Sequence, residues 1–498
     1  MKISIFESFA YGIANLIPKR LYNSSRKPKL KTVRFYTSGL KIETQNPKPR
    51  MTAVGRNTPT IWVTFMPMPL DHFNPHNPDT FMMRYMFNEE FHQRDGDPIF
   101  ILVGGEWTIA AGWLVAGNMY EMARENNGYQ IYTEHRYYGQ TLPFGANHTL
   151  ENLRFLNVDQ ALADLAYFIT EIKKQPRFAQ SKVILYGGSY AGNMVLWFKQ
   201  RYPHLVVGGV ASSGPIKAEV DFTGYLQVVH DSFLSEGGEQ CSSIIRQGIA
   251  DTVAALQTAE GRRNVQEVYG LCDPLNIDDL YSLGYFSGLI SWAFSGLVQT
   301  AIPGTLISVC SFNDCLSFPG ITPMQKVAGF VNWYQGLQTC WGMEFQILVN
   351  AYSGNTNSRA WYYQTCTEYG YYQTAPRSGT VFDPLVWLSV DFYVEICKQL
   401  FSDLRFDEQF VNDAVDRVNL VFGGLEPEVN NTINIHGSID PWHYLGVHEQ
   451  DLQEGSPTIT VPRASHCFDM RAWNSADTIL MSQAQSRARR LVAEWLST

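Results

Sequence analysis

Ser189, Asp440 and His466 lie far apart in the chain but have the side-chain types that nucleophilic hydrolysis requires. A serine hydroxyl is a weak nucleophile near neutral pH. It needs an imidazole to take its proton and a carboxylate to orient that imidazole. Ser189 sits in Tyr186-Gly187-Gly188-Ser189-Tyr190-Ala191-Gly192, directly after the apolar run Val183-Ile184-Leu185. A β-branched run ending in glycines around one serine reads as a nucleophile elbow, a strand-to-helix turn that only small residues can line. Asp440 lies in His436-Gly437-Ser438-Ile439-Asp440-Pro441-Trp442, and His466 in Ala464-Ser465-His466-Cys467. Each follows an apolar strand, so both can project onto the sheet edge that carries Ser189. Taken singly, Asp440 also reads as a turn former before proline, and His466 as a satisfied loop histidine. The order serine, acid, histidine carries the reading.

A tetrahedral oxyanion needs backbone donors. The N–H of Tyr190 is the first candidate. The second comes from the loop after strand 98–103, at Gly105 or Glu106, where Gly104 and Gly105 permit close backbone approach.

These residues need a sheet to hold them. Strands are predicted at 98–103, 130–133, 182–185, 206–211, 432–435 and 458–461. Leu162, Leu165, Ile169 and Ile172 line one helix face, and 192–202 is the helix after the elbow, stopped by Pro203. Leu480, Ala484, Ala488, Leu491 and Trp495 form the inner stripe of a closing helix. Strands alternating with helices predict an α/β fold with a mostly parallel sheet covered on both faces. With the elbow, that is an α/β-hydrolase core formed by 51–215 and 416–498. Residues 216–415 interrupt the alternation and read as an inserted helical cap over the carboxyl edge of the sheet.

Composition limits the alternatives. The chain has 498 residues, 45% hydrophobic and 13% aromatic, enough for a large core. A formal net charge of -9 argues against nucleic acid as a partner. Residues 1–50 hold eleven Lys or Arg against two acids, Glu7 and Glu43, and read as a basic segment outside the core. Residues 1–6 begin like a secretory signal, but Glu7 interrupts it. The uncharged run 281–310 is too often broken by Ser, Gly, Gln, Thr and Pro for a membrane span, and reads as buried cap helix. All eight cysteines follow residue 240, none in a Cys-x-x-Cys pair, which points to disulfides in an oxidising compartment rather than zinc. Sequons at Asn23, Asn147 and Asn430 agree with secretion.

The chain also resembles the serine peptidase family that includes lysosomal prolyl carboxypeptidase, dipeptidyl peptidase II and thymus-specific serine protease. The matching segments are Leu70-Asp71-His72-Phe73-Asn74, Gly104-Gly105-Glu106, Glu134-His135-Arg136-Tyr137-Tyr138-Gly139, Leu142-Pro143-Phe144-Gly145 and Gly187-Gly188-Ser189-Tyr190. Tyr202-Pro203-His204-Leu205, Thr365-Cys366-Thr367-Glu368, Asp440-Pro441-Trp442 and Ser465-His466-Cys467 follow in the family's order. The resemblance implies the triad Ser189, Asp440 and His466, cleavage after proline or a small residue near a peptide end, and no metal or organic cofactor. It implies a peptide substrate, a secreted or lysosomal location and an acidic optimum, and leaves homodimerisation open. Trp442 matches a tryptophan that lines the family's proline pocket, and Cys366 with Cys397 a family disulfide; Cys467 is free or bridged.

Three positions depart from the pattern. Ala191 replaces the second glycine of Gly-x-Ser-x-Gly, as in the thymus-specific branch. Asn193 stands where prolyl carboxypeptidase has a pocket methionine, and Tyr371 where it is apolar. Both put a strict proline preference in question. Glu134 and Arg136 read as a structural corner, because buried charges persist when paired. Glu106 or Glu134 is a candidate grip on a substrate amine. The competing classes are an esterase or lipase on the same triad and a catalytically silent secreted binding protein.

Overall fold

The computed structural model describes residues 41–44 and 59–498, except 312–315, 317–320, 338, 404, 449–454 and 476. Among these, the main sheet contains β1 (Lys41–Thr44), β2 (Thr60–Pro69), β3 (Thr80–Asn88), β4 (Ile99–Leu102) and β5 (Tyr129–Thr133). It continues with β6 (Val183–Gly188), β7 (Gly208–Ser212), β8 (Thr432–Gly437) and β9 (Thr458–Val461). The spatial order is β1-β2-β3-β5-β4-β6-β7-β8-β9. Only β3 runs against the rest, pairing antiparallel with β2 and β5. This is the mixed, mostly parallel sheet of an α/β-hydrolase. β1 lies inside the basic segment and pairs parallel with β2; Asn23 lies outside the described residues.

Central strands β4, β5, β6 and β7 are buried along their whole length, as parallel strands covered on both faces must be. One face is packed by α1 (Asn118–Glu125) and by the closing helix Ile479–Ser497, the other by α2 (Val158–Lys173) and α3 (Tyr190–Arg201). Leu162, Leu165, Ile169 and Ile172 of α2 are all buried. Asn157 starts this helix by accepting from the Gln160 N–H.

Between β7 and β8 the chain is largely helical. Its helices include α4 (Thr223–Ser232), α5 (Glu239–Ala255), α6 (Leu280–Thr300), α7 (Pro323–Gln335) and α8 (Glu408–Phe422). Disulfides Cys241–Cys310, Cys272–Cys340 and Cys366–Cys397 lie within this region. Cys467 is a buried free thiol, and Cys315 falls outside the described residues. Residues 281–300 of the uncharged run lie in α6, which is buried on nearly every side, while Ile302 and Ile307 in the rest of the run are exposed. No helix among the described residues is long and apolar enough to cross a membrane.

The closing helix, α9 (Ile479–Ser497), corrects the predicted stripe. Leu480 is 49% exposed, and the inner face is Met481, Ala484, Gln485, Ala488, Val492 and Trp495. Thr478 caps the helix by accepting from the Met481 N–H.

Candidate active site

β6 delivers Ser189 at φ 58° and ψ −134°, a conformation seldom adopted by a residue with a side chain. The backbone around it is crowded. A Cβ on Gly187 would lie 2.2 Å from the Ala191 carbonyl oxygen, and one on Gly188 would lie 2.3 Å from Met470 Sδ. The backbone clash at Gly187 requires glycine, whereas at Gly188 the obstacle is the Met470 side chain. Ala191 is buried in α3 with no positive φ, so its methyl is accommodated and the turn survives the departure from Gly-x-Ser-x-Gly. The Ser189 N–H donates to the Ser212 carbonyl at 2.8 Å, which ties the elbow to β7.

His466 and Asp440 meet across 26 residues. His466 Nδ1 donates to the Asp440 carboxylate, 2.8 Å from each oxygen. Asp440 also accepts from the Trp442 N–H at 3.0 Å and so caps the short turn Pro441–Leu445. The turn-forming role and the pairing with histidine thus coexist in one side chain. Burial pushes the Asp440 carboxyl up, but the His466 imidazole overcomes it and the pKa falls below the usual range. Burial pushes His466 down, while the Asp440 carboxylate raises its pKa well above the ordinary value.

The histidine loop is anchored on two sides. Helix ends leave carbonyls without intrahelical partners. Those of Val298 and Gln299, at the end of α6, accept from the Ser465 hydroxyl (2.5 Å) and the His466 N–H (3.4 Å). On the other side, the Cys467 N–H donates to Ser213 Oγ at 2.9 Å, and Cys467 Sγ lies 3.8 Å from the Ser212 carbonyl that also accepts from Ser189. The uncharged helix therefore holds the His466 loop, which packs against the elbow. Sequence gave no sign of this role for Gln299, because the contact spans 167 residues.

Tyr190 is the first residue of α3, so its N–H has no intrahelical acceptor. Gly105 lies against Trp107, and a Cβ there would meet the indole at 2.7 Å. Glu106 is buried; its Oε2 makes no hydrogen bond, and burial pushes its pKa up to about 7. The Trp442 ring lies 6.5 Å from that of His466, 5.2 Å from Tyr225 and 5.6 Å from Tyr371. Asn193 Nδ2 donates to the Tyr371 hydroxyl at 3.2 Å and to the Pro215 carbonyl at 3.1 Å, and Tyr371 itself donates to Pro215. Two departures from the family pattern, at 193 and 371, thus form one hydrogen-bonded pair.

Glu134 and Arg136 form two separate buried networks. Glu134 accepts from Arg84 Nε (3.0 Å), the Ile109 N–H (3.1 Å), the Gln140 N–H (2.9 Å) and the Thr141 hydroxyl (3.0 Å). Arg136 grips Asp164 in a two-pronged pair at 2.6 Å, and His72 Nε2 lies 2.7 Å from the same carboxylate. Arg84, Asp164 and His72 were not legible as partners, since each lies at least 28 residues away. No group of three or more His, Cys, Asp or Glu among the described residues could hold a metal ion.

An elbow serine on a mostly parallel sheet, with an Asp–His pair on the next strand ends, defines an α/β-hydrolase. The family model described as serine carboxypeptidase S28 matches residues 68–488. The chain belongs to that family and is a serine-type peptidase. It is 30% identical to thymus-specific serine protease of Mus musculus over 451 residues, 87% of each chain. It is 28% identical to lysosomal Pro-X carboxypeptidase of Bos taurus over 468 residues, 89% of this chain and 90% of that one.

Proposed function

We propose that this protein is a serine exopeptidase that cuts after proline or a small residue near a peptide terminus, using Ser189, His466 and Asp440. The observation that carries the reading is the buried His466–Asp440 pair, 2.8 Å apart, on a loop packed against the Ser189 elbow. In the neutral imidazole, with Nδ1–H committed to Asp440, the lone pair resides on Nε2. That nitrogen takes the Ser189 proton as the hydroxyl oxygen bonds to the scissile carbonyl carbon. The resulting oxyanion is held by the N–H groups of Tyr190 and Gly105. Collapse breaks the C–N bond, and the imidazolium gives its proton to the departing amine. Water then attacks the acyl carbon while His466 takes its proton; collapse breaks the ester C–O bond, and the imidazolium returns that proton to Ser189 Oγ, freeing the serine and a carboxylic acid.

Trp442, with Tyr225 and Tyr371 around it, supplies an apolar wall suited to a compact pyrrolidine ring. The Asn193–Tyr371 pair adds polar groups to that wall and favours small residues beside proline. Glu106 is the contact for a substrate α-ammonium. A cation beside it would restore the ionised form that burial opposes. This favours dipeptide release over removal of one C-terminal residue. The helical stretch 216–415 acts as a cap, and the protein works in a secreted or lysosomal setting, in keeping with its disulfides and the exposed Asn147 and Asn430.

The test is cleavage of proline peptides blocked at the amine, at the carboxylate, or at both, with Ser189→Ala as control. Amine blocking should abolish cleavage and carboxyl blocking should spare it. Rapid cleavage of doubly blocked peptides would overturn the exopeptidase reading.

A further inference from the structure

At the far end of α3 from Ser189, a cavity of about 540 Å³ opens between the core and α8. Arg201 ends α3, eleven residues after Tyr190, which at helical rise places it about 16 Å from the elbow. Its guanidinium donates to Asp159 at 2.9 Å, and Arg417 of α8 donates to the other oxygen of the same carboxylate. One acid thus holds two guanidinium groups in place, each roughly half exposed and each with further N–H donors to offer. Arg154, on the same wall, is exposed and has no acidic partner among the described residues; its guanidinium lies 4.7 Å from the Phe155 ring.

The charge balance is unusual for a chain of net charge -9. Three arginines line the cavity with Asp159, the carboxylate that accepts from two of them. The remaining acid, Glu368, is buried at the base and accepts from the Val158 N–H at 2.9 Å. Burial raises its pKa to about 7, so in acidic surroundings it adds no negative charge. Phe73, 60% exposed, stands at the rim with a free apolar face. Planar guanidinium forks match the oxygens of tetrahedral oxyanions, and an exposed ring offers a surface on which a sugar can lie.

We propose that this cavity is a binding site for a phosphate or sulfate ester carried on a sugar, with Arg154, Arg201 and Arg417 gripping the anion and Phe73 covering the ring. The site needs no part of the Ser189 machinery. Anion binding would instead fasten α8 to the end of the elbow helix.

Calorimetric titration of the full chain tests this at about pH 6 and constant ionic strength, with sodium phosphate, sodium sulfate, glucose 6-phosphate and N-acetylglucosamine 6-sulfate as probes. One sugar ester should bind saturably and more tightly than its inorganic anion, and which one does so identifies the source. Arg154→Gln, which breaks no ion pair, should weaken binding about tenfold while leaving peptide cleavage unchanged. Arg417→Gln should weaken it similarly. Absence of saturable binding by all four probes, sugar esters no tighter than inorganic anions, or unchanged affinity in both variants would overturn the proposal.

Discussion

Glu106 and Glu134 follow neighbouring paired strands, β4 and β5, yet they occupy opposite surroundings. Glu134 accepts from Arg84, two backbone N–H groups and a hydroxyl, so its charge is fully answered. Glu106 is equally buried, but Oε2 has no partner and its pKa rises to about 7. Buried polar groups are normally satisfied, and an unsatisfied one is costly. In the function proposed above, the difference separates scaffold from site: a completed network positions the strand ends, while an incomplete one keeps its capacity for a ligand.

The largest effect expected from this contrast lies in the Asp440–His466 pair. Asp440→Asn should leave the fold intact and lower kcat about 10⁴-fold, because the imidazole loses the partner that fixes its tautomer. Steady-state kinetics with circular dichroism checks this, and a loss below tenfold would detach Asp440 from catalysis. Next is the scaffold. Asp164→Ala strands Arg136, whose side chain is fully buried, and should cost about 3–5 kcal/mol in urea unfolding. A cost under about 1 kcal/mol, the range of a surface pair, would dissolve the contrast.

Glu106→Gln sharpens the comparison through pH. The folded-state pKa of Glu106 is raised from 4.5 to about 7, so between those values the folded state holds a proton that the unfolded state has lost. Stability from this group therefore falls as pH rises through that window, by up to roughly 3 kcal/mol. Buried His135 and His436, lowered to about 4 and about 3, act in the opposite sense, since stability is lost as pH falls below 6.5. The difference between wild type and Glu106→Gln isolates the carboxylate. The variant should gain stability relative to wild type as pH rises from about 4.5 to 7, by urea unfolding at each pH; a pH-independent difference would contradict the raised pKa.

How much of this was readable in the sequence follows from how local each signal is. The elbow was legible because Val183-Ile184-Leu185 and the glycines around Ser189 act within one turn. Asp440 and His466 were legible because each follows its own apolar strand. The β2–β3 pair was not: Pro67 and Pro69 demote Thr60–Pro69 as a strand, and its methionines carry no alternating pattern. The partners of Glu134 and Arg136, and the hold of α6 on His466, depend on contacts between segments that no sequence window contains. In the closing helix Ala484, Ala488 and Trp495 lie on the inner face as the apolar spacing predicts, while Leu480 in the first turn is exposed and Met481 takes the inner place.

Covalent labelling of the native protein by a fluorophosphonate, followed by mass spectrometry of the modified peptide, tests the central claim most directly. A hydroxyl activated by the His466–Asp440 pair should give one adduct, on Ser189, abolished in Ser189→Ala and strongly slowed in Asp440→Asn. An unlabelled protein, or an adduct on another residue, would contradict it.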